Sequence, residues 1–147
     1  MRLSLHRGGC RPDASGDEGV HDCTYSLLPH IGALSTGNVI CPAYELNVPI
    51  VSGRGELTRP SYLTVSSDHV ICEALKPADK IKKAVVARFY ETERTVAETD
   101  IRLPAGAKKV YLTNMLEDVK EELKIRSDKT VHLSFRPFEI KTIMIKF

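Results

Sequence analysis

Asp13, Asp17, Glu18, His21 and Asp22 fall in one short stretch, within and just after the polar run Cys10-Arg-Pro-Asp-Ala-Ser-Gly-Asp-Glu-Gly. Two carboxylates and a histidine can do acid–base work if they meet across a gap about as wide as a sugar. The same composition, rich in Gly, Pro and Asp, also describes a solvated surface loop, and spacing within one loop does not by itself make a catalytic pair. Both readings stand at this level.

Other reactive side chains are more dispersed. His21 and His30 lie nine positions apart, too far along an extended chain to ligate one metal unaided, and His6, His69 and His132 are isolated. Cys10, Cys23, Cys41 and Cys72 form no C-x-x-C pair, so they read as free, partly buried thiols of a reducing compartment. Ser26 and Ser134 lack the Gly-x-Ser-x-Gly turn that exposes a nucleophile. Lys76-Pro-Ala-Asp-Lys-Ile-Lys-Lys gathers four lysines without the aromatic or Arg partners of a phosphate site; it reads as a solvated hairpin loop that discourages edge pairing. No Gly-rich phosphate loop or dinucleotide fingerprint occurs.

The elements that would hold these residues are mainly short strands. His21, Cys23, Tyr25 and Leu27 alternate with Asp22, Thr24 and Ser26, which predicts a half-buried strand. Tyr62-Leu-Thr-Val and Val70-Ile-Cys-Glu-Ala-Leu flank the turn residues Ser66-Ser-Asp-His. Ala84 to Tyr90 and Thr95 to Leu103 suggest an antiparallel pair. Lys109-Val-Tyr-Leu-Thr, Val131-His-Leu-Ser-Phe and Ile140 to Phe147 add three more strands, and the last is apolar on both faces, as a central strand should be. Asn38 to Asn47 could hold one or two helical turns starting after Ser35 or Thr36, with Pro42 tolerated only near the first turn. Met115, Leu116, Val119 and Leu123 fit a short helix and a loop running into a strand equally well. The fold class that follows is all-β, an antiparallel β-sandwich with at most one or two short helices.

Composition agrees with ordinary globular material. The 147 residues include 21 Lys and Arg against 19 Asp and Glu, with 42% hydrophobic residues. That balance gives no concentrated basic face for nucleic acid, and no run approaches the roughly 20 apolar residues of a membrane span. The opening Met1-Arg-Leu-Ser-Leu-His-Arg has no apolar core for a signal peptide, so a soluble, cytoplasmic protein is expected.

Three segments taken together resemble a known family. Gly16-Asp-Glu-Gly-Val-His-Asp-Cys-Thr-Tyr-Ser-Leu-Leu-Pro-His-Ile-Gly is similar to the signature that opens the carboxy-terminal β region of α-mannosidases of glycoside hydrolase family 38. Ala43-Tyr-Glu-Leu-Asn-Val-Pro-Ile follows at the family's distance, and Leu133-Ser-Phe-Arg-Pro-Phe-Glu-Ile-Lys-Thr-Ile resembles its closing strand. Ser61-Tyr-Leu-Thr-Val and Cys72-Glu-Ala-Leu-Lys match between them, and Tyr25-Ser-Leu-Leu-Pro-His is similar to the cytosolic, bacterial-type branch.

The resemblance implies that residues 1–147 form the carboxy-terminal β-sandwich of a retaining exo-α-mannosidase, with the amino-terminal α/β catalytic domain and the helical middle domain absent. Those domains would be its partners and an α-mannoside the substrate. The catalytic domain would hold a divalent metal, usually zinc, beside an Asp nucleophile and an Asp acid. Its His-x-Asp metal motif occurs nowhere in this sequence, so no catalytic or metal residue carries over and the chain is expected to be inactive alone. Asp17, Glu18, Gly19 and His21 match the Asp-x-Gly-x-His loop that the resemblance aims at the cleft, as substrate-binding residues. The rival reading is a stand-alone carbohydrate-binding or protein-interaction module, which would expose aromatic platforms. Against it, the chain has no Trp, and most of its Tyr and Phe sit in core-like patterns.

Overall fold

A computed structural model of the chain describes residues 3–5, 8, 9, 11–48, 50, 52–55 and 61–147. His6 and Cys10, named above, lie outside these. The chain divides into two compact units, Met1–His30 and Ile31–Phe147.

The larger unit is a sandwich of two antiparallel sheets. Its strands are β1 (Thr64–Val65), β2 (Val70–Pro77), β3 (Ala84–Glu91), β4 (Ala97–Arg102), β5 (Lys109–Thr113), β6 (Val119–Leu123), β7 (Thr130–Phe135) and β8 (Ile140–Lys146). One sheet runs β1-β4-β7 and the other β2-β3-β8-β5-β6. Alternation decides which side chains meet between the sheets: Ala97 and Ile101 of β4 and Val131, Leu133 and Phe135 of β7 face Ala87 and Phe89 of β3, Val110 of β5, and Ile143 and Ile145 of β8. The other side of the smaller sheet is polar, and there Asp100 binds Arg126 Nη1 at 2.8 Å and His132 Nδ1 at 2.9 Å.

The closing strand is central, as its two apolar faces require. Ile143 and Ile145 of β8 point into the sandwich, while Met144 joins Ala84 and Val86 in a second cluster on the outer face of the same sheet, packed against Ala78 and Ile81. That loop, between β2 and β3, is the lysine-rich hairpin expected from the sequence. Its charge is used locally, because Lys76 Nζ donates to Asp79 Oδ2 and to the buried Glu117 at 2.6 Å each, and Lys80 pairs with Asp118 at 2.8 Å.

The helical stretch also forms where expected. Ser35 Oγ accepts from Asn38 N at 3.1 Å, a π-helical turn spans Thr36–Ile40, and α1 (Cys41–Asn47) follows with Pro42 in its first turn. Seven residues have little intrinsic helix stability, so tertiary contacts must hold them. Thr36 supplies one, donating from N and Oγ1 to Glu93 Oε1 at 2.7 Å each and meeting Thr92 Oγ1 at 2.6 Å. Tyr44 supplies another, its hydroxyl 3.1 Å from that of Tyr90 on β3.

Three expectations need correction or resolution. Residues 84–90 and 95–103 do not pair with each other; β3 lies between β2 and β8, and β4 between β1 and β7. The chain changes sheets between them, which local periodicity cannot reveal. The ambiguous stretch is a turn followed by β6, because Asn114 Oδ1 accepts from Leu116 N at 2.9 Å and Asp118 N at 2.8 Å and caps a tight turn in place of a helix. The alternating stretch from His21 to Leu27 has no regular secondary structure and is exposed throughout, so the half-buried strand is absent there. Alternation prescribes a strand only where a sheet and a core meet it, and among the described residues no ladder includes this segment.

Three glutamates make the larger unit acid-sensitive. Burial pushes the Glu91 carboxyl up, but the amides of Phe138, Glu93 and Thr95 outweigh it and hold the group below its ordinary 4.5. Glu93 is held low by the amide and hydroxyl of Thr36, and Glu117 by the Lys76 ammonium. A carboxylate with a lowered folded pKa adds stability that is fully present above its unfolded value and is lost as pH falls through the folded one. The melting temperature should therefore stay flat from neutral pH down to about 5 and drop below about pH 4, which a thermal-unfolding series over pH would read.

Candidate functional site

The loop that carries the acidic residues folds on itself through its own side chains. Asp13 Oδ1 accepts from Ser15 N at 3.0 Å and from Ser15 Oγ at 2.8 Å, which holds the Asp13 carboxyl below its usual range. Gly16 N donates to Asp13 O at 3.2 Å and Glu18 N to Ser15 O at 3.1 Å, making two successive turns. Gly19 adopts φ 152°, a backbone region that disfavours any side chain, and so redirects the chain after the carboxylates. His21 closes the loop: a carbonyl oxygen only accepts, so the ring Nε2 is protonated and donates to Asp17 O at 2.7 Å.

These turns enclose an open cleft of about 430 Å³ lined by Gly8, Gly9, Asp17, Glu18, Gly19 and His21, among others. All four residues singled out from the sequence thus share one cleft within the smaller unit. His21, read from alternation as the neighbour of Cys23 and Tyr25 on a strand, is exposed and turned back onto the loop. The arrangement offers two carboxylates, glycine backbone and an imidazole to a polar ligand such as a sugar, whose hydroxyls need fixed donors and acceptors. Asp22 is exposed and outside the cleft lining.

Several expected features of the chemistry can be placed on the structure. Cys23, Cys41 and Cys72 are free thiols; only Cys72 is partly buried, and burial raises its pKa. Among the described residues no group of three His, Cys, Asp or Glu side chains is placed to hold a metal ion. Phe89 and Phe135 are fully buried, Phe147 packs against the same core, and Tyr44, Tyr90 and Tyr111 are half-buried, whereas Tyr25, Tyr62 and Phe138 are exposed. Sequence reasoning passed over Glu91, Glu93 and Glu117, charged residues on or beside strands whose value lies in the backbone amides and side chains they fasten.

The comparisons with known proteins bear on this fold directly. The profile of the Glycosyl hydrolases family 38 C-terminal beta sandwich domain matches residues 69–143, just over half of the chain. The chain belongs to this family. It is similar to Alpha-mannosidase 2C1 of Homo sapiens, 31% identical over 153 residues that take in 99% of this chain and 15% of that protein. Alpha-mannosidase G of Dictyostelium discoideum is 31% identical over 95% of the chain, and Alpha-mannosidase of Saccharomyces cerevisiae 27% identical over all of it. The chain spans about one-seventh of the length of these relatives, between 14% and 16%. The described residues contain no helix long and apolar enough to cross a membrane.

Proposed function

We propose that this chain works as the carboxy-terminal part of a cytoplasmic, retaining exo-α-mannosidase, supporting the catalytic and middle domains and bordering the mannoside cleft. The observation that carries the reading is the alignment of nearly the entire chain with a small part of proteins named as alpha-mannosidases. The family's carboxy-terminal sandwich, matched at residues 69–143, agrees with it. In this reading the zinc, nucleophile and acid belong to an amino-terminal α/β domain, and neither nucleic acid nor membrane is a partner.

Asp17, Glu18, Gly19 and His21 face the mannoside. The carboxylates accept from sugar hydroxyls, Gly19 permits close approach, and His21 keeps Asp17 in place through its carbonyl. This gives a test in an intact relative such as human Alpha-mannosidase 2C1, at the position aligned with His21. The alanine variant should lose about two- to tenfold in kcat/KM, equivalent to one net hydrogen bond, with its melting temperature unchanged. A lowered melting temperature with unaltered kinetics per folded molecule would remove His21 from the site.

A further inference from the structure

A cleft of about 520 Å³ opens between the turn that joins β4 to β5 and the loop that leads into β7. Three cations line it: Arg102, the last residue of β4, with Lys108 and Lys129. All three are exposed, and among the described residues none of them has an ion-pair partner. The β2–β3 hairpin differs in this, since its Lys76 and Lys80 are both paired. One acid, Asp128, shares the lining, and its Oδ1 already accepts from Thr130 N at 3.2 Å and from Thr130 Oγ1 at 2.8 Å. Three positive charges against one committed carboxylate leave the cleft with a net positive field.

Backbone geometry holds both walls in place. Ala107 N donates to Pro104 O at 3.3 Å and closes a turn in which Gly106 takes φ 84°, a conformation that favours glycine. A Cβ on Gly106 would stand 3.7 Å from the Phe147 ring, so the turn lies against a side chain that packs on the core. On the facing wall Lys129 takes φ 63°, uncommon for a residue other than glycine, and its carbonyl accepts from Leu103 N at 3.0 Å. Ala105 and Gly106 also line the cleft, and their amides have no acceptor among the described residues.

We propose that this cleft binds the phosphate group of a small phosphorylated molecule. Arg102 offers a planar fork of donors that matches phosphate oxygens two at a time, and Lys108 and Lys129 add point charges. The free amides of the turn supply further donors. The volume lies in the range of small-ligand sites, about 300–1,000 Å³, so a phosphate group leaves room for a sugar-sized carrier. Every residue of the cleft belongs to the larger unit, so the site can be tested in the purified chain.

Amide NMR spectra of the purified chain read the binding at constant ionic strength, with inorganic phosphate and glucose 6-phosphate as probes and chloride and glucose as blanks. The Ala105, Gly106 and Lys129 amides should shift and saturate with both probes and stay in place with both blanks. Tighter binding of glucose 6-phosphate assigns the site to a phosphorylated sugar, and the reverse order assigns it to the free ion. Arg102→Gln combined with Lys129→Gln should weaken the affinity about tenfold or more, with the Ile143 to Ile145 amides unmoved. Lys120→Gln combined with Lys124→Gln removes the same charge outside the lining and should change the affinity less than about twofold. Should the first pair fail to fold, Lys108→Gln alone should still weaken binding about threefold or more. No saturable shift with either probe would overturn the proposal. So would equal weakening by the two double variants, or full affinity in a folded Arg102 and Lys129 variant.

Discussion

Replacing Glu91 with alanine should destabilise the sandwich by about 3–5 kcal/mol, the largest effect expected of any surface-to-core polar substitution here. Glu91 has no solvent exposure and sits at the end of β3. Its Oε1 accepts from Glu93 N at 2.7 Å and Thr95 N at 3.1 Å, and its Oε2 from Phe138 N at 2.8 Å. One side chain thereby ties the β3–β4 connection to the turn before β8, across the point where the chain changes sheets. Alanine leaves three amides without their acceptor, and each buried donor left so costs about 1–3 kcal/mol before relaxation and water entry recover part of it. A small domain has a total of about 5–15 kcal/mol, so the variant should be near or past its limit at 37 °C. Glutamine keeps the shape but loses the charge and turns a donor toward an amide, so Glu91→Gln should fall between wild type and alanine. Chemical denaturation of the three proteins measures this, and equal midpoints for all three would contradict it.

The sequence made the β-sandwich legible for a physical reason that β8 illustrates. A strand apolar on both faces has to be covered twice, and the structure covers it with the opposing sheet on one side and Ala78 and Ile81 on the other. The start of the helical turn was equally plain, since Ser35 is a capping residue and Pro42 suits a first turn. Pairing was not legible. β3 and β4 are neighbours in sequence and in strand character, yet the chain changes sheets between them, at a connection that Glu91 fastens through three amides; a glutamate at a strand end carries no such signal on its own. Near Met115 the apolar spacing imitated a helix, while Asn114 held the better clue through its capacity to cap a turn.

The candidate site divides in the same way. Asp17, Glu18, Gly19 and His21 share one cleft because a short Gly-bearing loop keeps its own residues together. The alternation from His21 onward predicts a half-buried strand, and the structure leaves the segment exposed and without regular secondary structure. Burial depends on a partner surface, and a sequence states only its own half of a pair.

The second large effect expected is an absence of turnover. Glycoside hydrolysis by a retaining enzyme needs two carboxyl groups held about 5 Å apart across the bond, and the proposed function assigns them, with a metal, to another domain. The open loop of Asp13, Asp17 and Glu18 holds its residues by local turns, and Asp13 is committed to Ser15. Nearness of acidic groups without a positioned nucleophile and acid recovers little of the rate acceleration that enzymes achieve.

The central claim, that this chain is a non-catalytic carboxy-terminal part of an α-mannosidase, is tested most directly by assaying the purified chain on an aryl α-mannoside with and without added zinc or cobalt. The account predicts release of the aryl group at the buffer rate under every condition. Metal-dependent turnover that Asp17→Asn abolishes would contradict it.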